Sequence, residues 1–156
     1  MENFDRKKLI KKYFDKSEKL TVTNTVYKKQ LEDLWHWLTH ADCVANDITT
    51  KSLMFKGNRT AEIASKQEGV IAGIEEISYL IKTFLPQLTF KTHVSDGQHI
   101  THHAPLITFK GSATDLLSFE RTILNIFGRM SGIATDTHSL VSKLENIEHA
   151  PFIAAT

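Results

Sequence analysis

Leu116, Phe119, Ile123, Phe127 and Met130 recur at steps of three and four, which commits the segment around them to an amphipathic helix with one packing stripe. Arg121 and Asn125, four residues apart, fall on another face of that helix, so a guanidinium sits beside an amide and clear of the packing stripe. An arginine placed in this way can fork two hydrogen bonds onto a carboxylate, which the compact head of a lysine does less well. Glu120 or Asp115 could equally hold the same guanidinium in an ordinary helical salt bridge. Ser112, with Asp115 three residues later, is a capping-box variant that starts the helix. Gly128 and Gly132 interrupt the pattern, and Ile133, Thr137, Leu140, Val141 and Leu144 continue it as a second helical segment.

Upstream, residues 4–16 read as a short basic helix and 17–24 as a connection. Tyr27, Leu31, Leu34, Trp35 and Leu38 form the stripe of a stronger helix ending near His40. Residues 59–66 alternate as a strand, with Ala61, Ile63 and Ser65 on one side and Glu62, Ala64 and Lys66 on the other. Ile74, Ile77, Leu80, Ile81 and Phe84 mark a third helix that stops before Pro86. Leu88, Phe90, Thr92 and Val94 give a strand, Ser95-Asp96-Gly97-Gln98 a turn, and residues 106–109 another strand. A short apolar strand follows over 151–155. Strands and helices in these numbers imply an α+β fold of two packed layers.

At 156 residues the chain suits one ordinary domain, or one domain and a piece of another. A formal charge of +1 leaves no electrostatic footprint for nucleic acid or an anionic membrane. The basic run Arg6-Lys7-Lys8 and Lys11-Lys12 is interleaved with apolar Leu9, Ile10, Tyr13 and Phe14, as on a solvated helix face. Cys43 stands alone, which fits a reducing compartment and gives no internal disulfide. With no apolar run near the ~20 residues of a bilayer span, the expectation is a soluble cytoplasmic protein. His93, His99, His102 and His103 lack zinc-type spacing and read as exposed polar side chains, so no metal site is expected. Residues 96–111 resemble half of a biotinyl or lipoyl carrier domain, but no lysine lies between Lys91 and Lys110 to carry the cofactor. Gly69 and Gly73 match no phosphate-loop pattern and fit turn-to-helix geometry.

Glu120-Arg121-Thr122, then Leu124-Asn125, then Ser131-Gly132-Ile133-Ala134-Thr135 together resemble the signature of the quinolinate phosphoribosyltransferase family, also called nicotinate-nucleotide pyrophosphorylases (carboxylating). Asp47-Ile48-Thr49-Thr50, Glu68-Gly69-Val70-Ile71-Ala72-Gly73, Asp96-Gly97 and Gly111 agree in order and spacing, so the resemblance runs from about residue 42 to the end. It implies a two-layer N-terminal domain of antiparallel sheet with helices over 1–111. Residues 112–156 would then carry the first helices and first strand of an incomplete α/β barrel, with no catalytic residue in the chain itself. The implied reaction joins quinolinate and phosphoribosyl pyrophosphate, with Mg2+, to give nicotinate mononucleotide, CO2 and pyrophosphate for NAD synthesis.

By the same resemblance Arg121 clamps a quinolinate carboxylate, and Lys66 reaches the neighbouring subunit's site, keeping charge but not the arginine fork. Glu120, Thr122 and Asn125 support the helix that bears Arg121, and the carboxylates for Mg2+ belong to the barrel. The complete enzyme is expected to be a homodimer, and this chain alone to lack turnover, with a separate C-terminal chain as one way to supply the barrel. Two other readings remain open at this point. One is a non-catalytic ligand-binding or interaction module derived from the domain; the other is a related enzyme acting on another pyridine carboxylate.

Overall fold

A computed structural model describes residues 6–41 and 57–144, with Ile147, Pro151 and Ile153. Cys43, the Asp47-Ile48-Thr49-Thr50 word and, apart from Pro151 and Ile153, the strand expected over 151–155 lie outside these residues. Among the described residues four α-helices and five strands follow in chain order. Helix α1 spans Arg6–Phe14, and α2 spans Thr25–Ala41 after a 3-10 turn at Ser17–Lys19. Strand β1 is Asn58–Ala64, β2 Gly69–Val70, α3 Ile74–Phe84 and β3 Thr89–Thr92. Strand β4 is His99–Ile100, β5 Pro105–Ser112 and α4 Ala113–Leu144. The result is the α+β fold expected, with an antiparallel sheet in the order β1-β5-β3 and a second antiparallel pair, β2-β4.

Alternation along β5 explains the layering, because successive strand side chains point to opposite faces. Ile107, Phe109 and Gly111 turn inward and are buried, whereas Lys110 between them is exposed. The inward face meets Ile77, Leu80 and Ile81 of α3 and Ile123, Ile126 and Phe127 of α4 in one apolar cluster. Trp35 of α2 is stacked between Phe84 and Phe119, with ring centres 5.6 Å apart on both sides. One indole thus ties three helices together, and its burial is worth more than area alone through such ring pairs.

Helix α4 departs from the expected pair of segments. It runs unbroken for 32 residues through both Gly128 and Gly132, roughly 48 Å at 1.5 Å per residue. Glycine lowers helix propensity by only about 1 kcal/mol, and the apolar contacts on either side outweigh that. Its start is as expected: the Asp115 backbone N–H donates to Ser112 Oγ at 3.0 Å, and the Ser112 hydroxyl donates to Asp115 Oδ2 at 2.7 Å. The two-residue strands β2 and β4 had no alternation long enough to show in the sequence. Helix α3 begins without a cap of its own; the distant Asp96 carboxylate accepts from the Ile74 and Glu75 backbone N–H groups at 2.9 and 3.1 Å. A carboxylate there satisfies two orphan donors and opposes the helix dipole.

Polar pairs join α2 to α3. The Tyr27 hydroxyl donates to Glu76 Oε1 at 2.7 Å, and the Tyr79 hydroxyl donates to Glu32. Burial first, then the hydrogen bond to Glu76 and its charge, hold the Tyr27 phenol well above its ordinary range. The folded chain therefore keeps a proton that the unfolded chain releases above about pH 10, so stability falls as pH rises beyond that point. Tyr27→Phe is expected to flatten this alkaline loss in denaturant titrations between about pH 9 and 11; an unchanged pH slope would exclude the pair as its source.

Candidate functional site

With 3.6 residues per turn, burying Ile123, Ile126, Phe127 and Phe119 leaves Arg121, Asn125, Gly128 and Gly132 on the outward stripe of α4. Arg121 and Asn125 are both exposed. Among the described residues the Arg121 guanidinium has no ion-pair or hydrogen-bond partner. Asp115, one candidate for a salt bridge to it, is engaged by Ser112 instead. Thr122 points the other way and is fully buried at 0% exposure, and no buried side-chain polar atom among the described residues lacks a hydrogen bond.

Lys66 lies just beyond the end of β1 and is exposed, again with no ion-pair partner among the described residues. It and Glu120 line one groove of about 460 Å3 between β1 and α4, whose floor includes Ile63, Phe109, Ile123 and Leu124. Asn125 and Arg129 line another, of about 590 Å3, between α2 and α4, with Leu34, Trp37 and Leu124. Leu124 borders both. The structure therefore brings Lys66 together with Glu120 in one groove and Asn125 with Arg129 in the other, and Arg121 lines neither of these two. Exposed apolar side chains border the two grooves, Leu117 at 39% the first, Trp37 at 67% and Leu34 at 42% the second, and Leu124 at 40% both. Exposed apolar side chains clustered along grooves of one helix are the kind of surface that marks a contact face.

The other half of the signature holds the helix in place. Thr135 Oγ1 accepts from the Val70 backbone N–H at 2.9 Å and donates within 2.7 Å of the Ser131 carbonyl, with the Val70 carbonyl at 3.4 Å. Ser131 Oγ accepts from the Ala72 N–H at 3.2 Å and lies 3.1 Å from the Ala72 carbonyl. Two hydroxyls of α4 thus stand in for the neighbouring strand that β2 lacks on that side. The approach requires Gly69, because a Cβ there would stand 2.7 Å from Thr135 Oγ1. Gly69 and Gly73 accordingly answer to packing and turn geometry. Sequence spacing had not paired Ser131 and Thr135 with the Glu68-Gly69-Val70-Ile71-Ala72-Gly73 word. Two polar residues four apart on a helix, opposite a glycine-flanked strand, were the available signal.

A family model described as the quinolinate phosphoribosyl transferase N-terminal domain matches residues 47–131, more than half of the chain. A probable nicotinate-nucleotide pyrophosphorylase [carboxylating] of Methanothermobacter thermautotrophicus is 35% identical over 125 residues, 80% of this chain and 44% of that protein. The similarly named protein of Bacillus subtilis is 32% identical over 117 residues, covering 75% of this chain and 40% of the relative. The crystal structure of NadC from Streptococcus pyogenes superimposes with a TM-score of 0.68 at 26% identity, covering 76% of this chain and 43% of that one. The chain spans less than half the length of these curated relatives. On the match of the family model, the chain belongs to the family of quinolinate phosphoribosyl transferase N-terminal domains.

Proposed function

We propose that this chain serves as the N-terminal part of a cytoplasmic phosphoribosyltransferase that converts quinolinate and phosphoribosyl pyrophosphate to nicotinate mononucleotide, CO2 and pyrophosphate. Residues 1–111 form its N-terminal domain and 112–156 lead into the barrel. The observation that carries this reading is the unpartnered Arg121 on the outward stripe of α4, a helix whose flanking grooves are bordered by exposed Leu34, Trp37, Leu117 and Leu124. A dianionic pyridine ring needs preformed cations, and a guanidinium framed by apolar surface becomes a strong carboxylate clamp once a second body closes over it and removes water. The second body in this reading is the barrel part that the family resemblance implies, as a continuation of the chain or as a separate one, in a homodimer. Lys66 adds positive charge at the rim, Glu120 and Asn125 frame the helix surface around Arg121, and buried Thr122 anchors that surface to the core.

Mg2+ would come with phosphoribosyl pyrophosphate. Among the described residues no three histidine, cysteine or carboxylate groups converge to hold a metal ion. The described residues do not fit a Mg2+ site, whose preferred ligands are carboxylates, waters and substrate phosphates.

The same face separates a catalytic part from a free-standing binding module. A Cβ built at Gly128 or Gly132 meets nothing within 4 Å among the described residues. Alanine at either position is therefore expected to stabilise the chain alone by about 0.5–1 kcal/mol. In the enzyme completed by its barrel, the same methyl groups would stand in the closing interface and lower phosphoribosyl transfer. Melting curves of the chain and assays of the completed enzyme read the two effects. Unchanged activity with both alanines in place would refute a barrel closing on this stripe and favour the module.

A further inference from the structure

We propose that the groove between α2 and α4 binds a planar aromatic monocarboxylate, with Arg129 and Asn125 at its charged end and Trp37 against its ring. Helix α2 carries two apolar stripes. Leu31 and Trp35 fill the core, whereas Leu34 and Trp37 line the groove and stay 42% and 67% exposed. A tryptophan this open, beside an exposed leucine and across a groove from Leu124, is more than a scattered apolar side chain. The space between the helices measures about 590 Å3, the size of a small-molecule cleft. Gly128 keeps the α4 wall low, since a Cβ there would meet nothing within 4 Å among the described residues.

Charge in this groove is one-sided: Arg129 lines it and no acidic residue does. Three and four positions away on the helix stand Asn125, Ile126, Gly132 and Ile133, so no carboxylate occupies a place where a helical ion pair forms. Among the described residues the Arg129 guanidinium accordingly has no ion-pair or hydrogen-bond partner. A guanidinium presents two parallel N–H groups to a carboxylate, and the Asn125 amide, one turn earlier, supplies a further donor. Apolar walls weaken the competition of water for that pair, and an aromatic ring gains an offset or edge contact with the Trp37 indole. An aromatic acid engages charge, amide and indole together. A neutral aromatic leaves the guanidinium unmatched, and an aliphatic acid forgoes the ring contact.

The site stands apart from the phosphoribosyltransferase reading, because Arg121 does not line this groove, and it is tested on the chain itself. Isotope-labelled chain is titrated with naphthoate while the two indole N–H signals are followed by NMR, Trp37 being assigned by its loss in Trp37→Phe. The Trp37 signal is expected to move saturably with a Kd of about 0.1–1 mM, and that of buried Trp35 to move far less. Naphthalenemethanol, the same ring without charge, should bind at least about tenfold more weakly, and octanoate at least about threefold. Arg129→Gln should weaken naphthoate at least about tenfold with Tm unchanged, since Arg129 is exposed. Arg121→Gln should leave the Kd within about twofold. Parental affinity in Arg129→Gln, equal affinity for naphthoate and naphthalenemethanol, loss of binding in Arg121→Gln, or no saturation by about 10 mM would each overturn the site.

Discussion

Arg121→Ala, in the enzyme completed by its barrel, is expected to lower kcat/KM for quinolinate about 100-fold while leaving the KM for phosphoribosyl pyrophosphate within about threefold. That loss corresponds to about 2.7 kcal/mol, the range for removing one partner of a desolvated charge-assisted pair. The asymmetry follows from chemistry: a forked guanidinium matches a planar carboxylate, whereas a pyrophosphate chelated to a metal ion brings much of its own neutralisation. Arg121→Lys keeps the charge and loses the fork, so an intermediate loss near tenfold is expected. Folding should be nearly unaffected, because Arg121 is exposed and makes no ion pair or hydrogen bond among the described residues. Equal losses for both substrates, with Tm unchanged, would remove the clamp role and leave Arg121 as a general contact residue of the closing face.

Much of this was legible in the sequence where a period is long and one-sided. The α3 stripe of Ile77, Leu80 and Ile81 is buried as its spacing predicts, and Ser112 with Asp115 begins α4 as a capping signature should. Arg121 was legible as standing clear of the packing stripe, because helical geometry fixes a face from spacing alone. What stayed hidden depends on contacts between distant parts. Gly128 and Gly132 read as a break, yet a helix can pass through glycine when its other face is well packed. Asp96 read as a turn residue, and only the folded chain shows its carboxylate across the start of α3, 22 residues away. Thr135 and Val70 meet across 65 residues, and His99 meets His138 across the same contact between α4 and the β2-β4 pair. No local pattern encodes such pairings, because each is set by where α4 lies against the strands.

Gly73→Ala is expected to cost the isolated chain about 2–3 kcal/mol, read as a lower denaturant midpoint with unchanged slope. Two independent causes act at this position. Gly73 holds φ at +105° while its carbonyl accepts the first helical hydrogen bond of α3, from the Ile77 N–H at 2.9 Å. A side chain in that region costs roughly 1–2 kcal/mol. A Cβ there would also stand 2.9 Å from Met130 Sδ and 3.6 Å from Phe127 Cδ2. The sulfur is the flexible part of its side chain and can move, so the backbone contribution should be the larger. A double-mutant cycle with Met130→Ala separates the two causes. Backbone strain predicts that Gly73→Ala costs nearly as much with Met130 truncated as with it intact. Full rescue by Met130→Ala would instead show that the methionine contact sets the requirement for glycine, and that α3 could begin equally well in another conformation.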